Sequence, residues 1–161
     1  MAKFELTIST QQCSLLTFRP HGVELPDVVR FESLVTKLGI SSITYTEKLV
    51  DSTVLEALIT SLGAPRSSHP REIVLVCGAY LEEQISLVTQ FLLITGYPII
   101  LLRDLIAAKN AAHSYVHDLR LTQSGAVATT SQQLIYEWAA SETDPIRFAM
   151  LKEVLFHGAP R

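Results

Sequence analysis

The stretch from Arg71 to Asp104 limits the fold of this chain more than any other. Ile73 to Val76 is a short, continuous apolar run rich in β-branched residues, as expected of a strand buried on both faces of a parallel sheet. It ends at Cys77 and Gly78. From Leu81 the period changes. Leu81, Ile85, Val88 and Leu92 follow at three- and four-residue steps, which is a helix face, and Gly96 closes it as a left-handed cap. Ile99 to Leu102 reads as a second buried strand. Together these make one βαβ unit, with a right-handed crossover and its ligand side at the carboxyl ends of the strands. Residues Gly78 to Gln84 are therefore where function is to be sought.

Those same residues carry a resemblance. The run from Val76 to Ile85 (VCGAYLEEQI), followed by a helix, Gly96, Tyr97, a strand and Asp104, resembles the core of the isochorismatase-like cysteine hydrolases. The resemblance implies a strand ending in Gly and, six residues later, a catalytic Cys at a helix start, where the helix dipole and free amides lower the thiol pKa and hold the oxyanion. Six residues after Gly78 stands Gln84. An amide has no nucleophile comparable to a thiolate, so the family's chemistry is expected to be missing. The resemblance runs from about Leu15 to Leu155 and is most specific from Ile73 onward.

Composition allows a sizeable buried core. Hydrophobic residues make up 48% and charged residues 18% of 161, which fits one domain over 1–161 with a sheet covered on both faces. A formal net charge of −3 leaves no electrostatic footprint for nucleic acid. Gln90 and Thr95 interrupt the richest apolar segment short of a bilayer span. The first residues show neither the apolar core of a secretory signal nor an Arg-rich transit pattern, so an intracellular protein is expected, in cytoplasm or mitochondrion. Cys13 and Cys77 form no disulfide framework, and no metal-ligand spacing occurs. No dinucleotide or nucleoside-triphosphate glycine loop follows any strand, and no cofactor is expected.

Earlier in the chain, Phe4 to Ile8 alternates apolar and polar residues, and Cys13 to Phe18 reads as the first central strand. In the resembling family this strand ends in an acid that accepts the thiol proton. Here the stretch Leu15 to Pro20 holds no Asp or Glu. Arg19, which stays protonated, can donate hydrogen bonds to a ligand but cannot act as the base; the plainer reading is a solvated loop residue. A helical face at Val28, Phe31, Leu34, Val35 and Leu38, closed by Gly39, leads to a strand at Ile43 to Thr46. The family places a catalytic Lys beyond this strand. Lys48 is the nearest lysine and stands either in that role or as a surface residue.

Gly63 to Arg71 is a polar connection containing His69. Ile106 to Leu121 reads as a helix. His113 and His117 share one of its faces but lack the intervening Glu of a zinc motif. A short strand at Ala126 to Thr129, a helix capped by Thr130 and Ser131, and a last helix with Asp144 as N-cap and Pro145 as first residue complete the pattern. The wording around Gln123 to Ser131 is closest to eukaryotic isochorismatase-domain proteins. The apolar stripe of the last helix covers either the core or a second subunit.

The expected architecture is α/β: a three-layer, Rossmann-like open parallel sheet of order 3-2-1-4-5-6 with helices on both faces. Phe4 to Ile8 is either the sixth strand or an antiparallel edge. The expected function is that of a hydrolase-family domain that has lost the Asp-Lys-Cys triad and binds a partner or a small carbonyl or carboxylate ligand, through Gly78, Tyr80, Gln84, Arg19 and Lys48. Its alternative is an active hydrolase of a small amide or vinyl ether that uses a displaced thiol such as Cys77, although Cys77 also reads as a small buried hydrophobe. Some relatives by resemblance carry a ribonuclease label, which the charge balance and the absence of a basic aromatic patch oppose. Assembly as a homo-oligomer is expected from the resemblance and the apolar excess.

Overall fold

A computed structural model describes residues 8–46, 55–58, 60 and 73–157. Five strands form one parallel sheet: β1 (Cys13–Phe18), β2 (Ser41–Tyr45), β3 (Ile73–Ala79), β4 (Ile99–Ala107) and β5 (Val127–Thr129), in the order β2-β1-β3-β4-β5. This is the expected six-strand order with the strand outside the second left out and the rest renumbered, among the described residues. Of Phe4 to Ile8, only Ile8 is described. No described helix is long and apolar enough to cross a membrane.

Two apolar layers sandwich the sheet because its central strands are apolar on both sides. On one face, Leu15, Leu75, Ile100 and Leu102 pack against α1 (Pro26–Lys37), α5 (Ser131–Ser141) and α6 (Pro145–His157). Phe31 of α1 and Trp138 of α5 stack there, with centroids 6.1 Å apart. On the other face, Leu16, Phe18, Val74, Val76 and Leu101 meet α3 (Ser86–Thr95), α4 (Ala111–Gln123) and Leu58 of the helical stretch α2 (55–58). The four positions read as one helix face, Leu81, Ile85, Val88 and Leu92, are all fully buried in this second layer.

The sequence reading needs two corrections. Residues 106 and 107 belong to β4, and α4 begins only at Ala111. Arg103 and Asp104 look like the end of a strand, yet the ladder resumes beyond them: Val76 pairs with Leu101, and Gly78 then pairs with Ile106. The intervening bulge swings Asp104 out, where its carboxylate accepts the Ser131 amide at 2.8 Å and caps α5. Asn110 sets the true start of α4 by accepting the Ala112 amide at 3.0 Å. The second correction concerns the approach to α3. Residues Leu81–Ile85 form a wide π-type turn with Glu83 outside helical geometry, so Gln84 precedes the regular helix. Asp144 caps α6 as read, accepting the Ile146 amide at 2.8 Å. The stripe of α6 turns inward through Leu151, while Ile146 and Phe156 remain exposed.

Gly78 fixes how closely β1 and β3 approach. Its φ is +113°, and a Cβ there would lie 2.1 Å from the Phe18 carbonyl oxygen. Gly78→Ala should therefore cost about 3 kcal/mol or more of unfolding free energy, since the obstruction is backbone and cannot turn aside. Denaturant unfolding of the variant beside the parent measures it, and a loss below 1 kcal/mol would contradict this account.

Candidate functional site

The carboxyl ends of β1, β2 and β3 meet the π-type turn around a pocket of about 180 Å³. Its walls are aromatic: Phe18 from β1, Tyr45 from β2 and Tyr80 just after β3. Phe18 and Tyr45 are neighbours across the β1–β2 ladder, and their rings stack with centroids 6.0 Å apart. The polar groups besides the tyrosine hydroxyls are Gln84, which is 8% exposed, Glu83, Lys109, His21 and Thr46. A volume of this size, below the roughly 300–1,000 Å³ of drug-sized sites, suits a single ring with one polar substituent.

Two turns form one wall and hold each other in place. The Glu82 carboxylate accepts the Lys109 amide at 2.8 Å and the Asn110 amide at 3.2 Å. Burial pushes this carboxyl up, but the Lys109 and Asn110 amides, its own backbone amide and the charge of His117 together leave the group below the usual Glu range. The Lys109 ammonium hydrogen-bonds the Glu83 carboxylate and lies 5.2 Å from the centre of the Tyr80 ring. Its pKa is raised by that carboxylate. Lys109 went unnoticed in the sequence because it sits far along the chain from Gln84, inside what reads as a helix. Only the end of β4 brings it to the pocket.

The other predicted residues are placed as follows. Tyr80 lines the pocket with Gln84. Gly78 is buried against the Phe18 backbone and does not line this pocket. Lys48 lies outside the described residues, as does His69. Arg19 belongs to a different place: a larger and more open cleft of about 660 Å³ over the β1–α1 connection, which also takes in Arg30 and Leu25. The two openings share Pro20, His21, Val23 and Thr46. We place the candidate site in the smaller one, because enclosure and the Gln84 position coincide there.

Arg19 is occupied by an acid that the sequence reading did not bring to it. Its Nε lies 3.0 Å from Glu32 Oε1 of α1, an ion pair set off the axis of a good hydrogen bond, so both atoms are buried without one. Burial raises the Glu32 pKa against the pull of the Arg19 guanidinium and a hydrogen bond from Thr44. Thus β1 carries no acid of its own, but α1 delivers one to its end. Helical spacing put Glu32 beside the buried Phe31 without showing where the helix would dock.

Cys77 is fully buried in β3, and its sulfur lies 3.5 Å from the Thr17 hydroxyl on β1. Burial pushes the thiol up to about 12, with the Thr17 hydrogen bond pulling the other way. Among the described residues no three His, Cys, Asp or Glu side chains gather as a metal site.

No family model matches the sequence, and no curated protein does. Solved structures do match. A MAR1 ribonuclease from Caenorhabditis elegans superposes with a TM-score of 0.68 at 13% identity, over 96% of this chain and 94% of its own. The YcaC gene product of Escherichia coli, described as an octameric hydrolase of unknown specificity, gives 0.67 at 13% identity, over 97% and 94%. PnC1 from L. infantum, solved in complex with nicotinate, gives 0.51 at 13%, over 78% and 97%. The fold is that of the isochorismatase-like hydrolases.

The isochorismatase-like fold makes the thiol question sharp. In the native protein Cys77 should resist iodoacetamide at pH 8 and react only on unfolding, which intact-mass labelling with and without denaturant checks. The sign of its pH effect also follows. With a folded pKa near 12 against a reference value of 9.0, the unfolded chain ionises first, so stability is intact below about pH 9 and falls as pH rises towards 12. Replacing Cys77 with Ala should flatten that alkaline loss.

Proposed function

We propose that this chain is a small-molecule binding protein built on a hydrolase fold, and that it does not turn over its ligand. The observation that carries the reading is Gln84 in the wall of the smaller pocket, at the position where the resembling family places its nucleophile. A carboxamide donates and accepts hydrogen bonds and suits a carbonyl or carboxylate on a one-ring ligand, but it cannot form an acyl intermediate. The burial and high pKa of Cys77 oppose a displaced-thiol enzyme. Tyr80 would flank the bound ring, and Gly78 would act only by setting the strand spacing. PnC1 supports a small aromatic ligand by analogy of fold alone.

A homo-oligomer is part of the same reading. Ile94 on α3, Tyr115 on α4, and Ile146 and Phe156 on α6 are each more than 70% exposed and offer apolar contacts that a second subunit would cover. The octameric description of YcaC accords with it. Light scattering across a concentration series should give a mass above the 17.8 kDa of one chain, and a constant monomer mass would exclude assembly.

Incubation with small amides and with isochorismate-like vinyl ethers should give neither product nor covalent adduct by intact mass. Ligand-detected NMR should show benzamide or benzoate binding, weakened about fivefold by Gln84→Leu through loss of the amide's hydrogen bonds. Turnover abolished by changing Cys77 alone would instead establish the thiol enzyme.

A further inference from the structure

We infer that the Gln84 pocket selects an uncharged carbonyl ligand over the matching carboxylate, and that Glu83 is the residue that sets this preference. The inference rests on reading that pocket as a ligand site. Among the described lining residues, the formally charged groups are Lys109 and Glu83, and they are bonded to each other. Lys109 is the group that would otherwise attract a carboxylate. Its ammonium is held by Glu83 on one side and faces the Tyr80 ring, 5.2 Å away, on the other.

The arrangement is held in place by its surroundings. Glu82, the residue before Glu83, is fastened to the Lys109 and Asn110 amides, so the two turns are tied by backbone as well as by side chain. An arriving carboxylate would have to displace Glu83 from Lys109 and would leave two anions around one cation. An amide or ketone meets no such opposition and can exchange hydrogen bonds with Gln84. The Lys109 side chain is 53% exposed, so solvent screens the effect and a modest factor is expected rather than absolute exclusion. One unit charge at about 4 Å in a water-like medium corresponds to a factor of about five.

Benzamide and benzoate are near-isosteric and differ mainly in charge, so they serve as the probe pair. Binding of each to the full chain is measured by titration at pH 8 and constant ionic strength. The parent should bind benzamide about fivefold tighter than benzoate. Glu83→Gln should raise the affinity for benzoate relative to benzamide about fivefold. Lys109→Met, which keeps Glu83 and removes its partner, should lower the affinity for benzoate relative to benzamide. The opposite directions of the two variants keep the test decisive if either folds poorly. A parent that prefers benzoate, or a preference unmoved by both variants, would overturn the role of Glu83 while leaving the ligand site standing. Binding of neither probe would overturn the site itself, and this inference with it.

Discussion

Phe18 and Gly78 face one another across the β1–β3 ladder at a distance no side chain could share, and the rest of the candidate site takes its geometry from that approach. Because Gly78 has no Cβ, the β3 backbone can hold φ +113° against the Phe18 carbonyl. The chain then leaves β3 through Ala79 and Tyr80 into the π-type turn. That path sets Gln84 beside Phe18, whose ring in turn stacks on Tyr45. Loosening this one contact would move both the aromatic wall and the turn.

The carboxyl end of the sheet holds two polar groupings in different surroundings. On the α1 side, Thr17 and Cys77 are buried with the thiol kept neutral, and the half-buried Arg19 guanidinium is matched by the Glu32 carboxylate. On the α3 side, Glu82, Glu83, Lys109 and Tyr80 border an opening to solvent. The first resembles a buried structural network. The second sets an aromatic face beside paired charges. Burial thus holds the Cys77 thiol well above its ordinary pKa, and the Glu32 carboxylate adds to the rise.

The two turns of the pocket wall show how a short acidic sequence can do unlike jobs. Glu82 and Glu83 are adjacent, but Glu82 is spent on the backbone at the start of α4, where two amides need an acceptor. Glu83, outside helical geometry, points its charge at a side chain instead. An α-helical start here would have turned the two carboxylates about 100° apart on one cylinder, and both could not have reached the same segment.

Local pattern alone determined the parallel α/β class, the strands from Cys13 to Phe18 and from Ile73, the buried face of Leu81, Ile85, Val88 and Leu92, and the caps at Gly96, Thr130 and Asp144. Each of these is written in consecutive residues, as an apolar run, a helical period or a capping side chain. The position of Gln84 six residues after Gly78 could likewise be read from spacing. What the tertiary structure decided was everything joining distant segments. The bulge that carries β4 on to Ala107 depends on pairing with Gly78 and Ala79, which a polar Arg103 and Asp104 conceal in the sequence. Glu32 meets Arg19, and Lys109 meets Glu83 and Tyr80, only because helices and turns dock on a common sheet edge. The burial of Cys77 was likewise decided by the tertiary structure, for a thiol's pKa is set by how much water reaches it, and burial is a property of the packed layers rather than of the residues beside it.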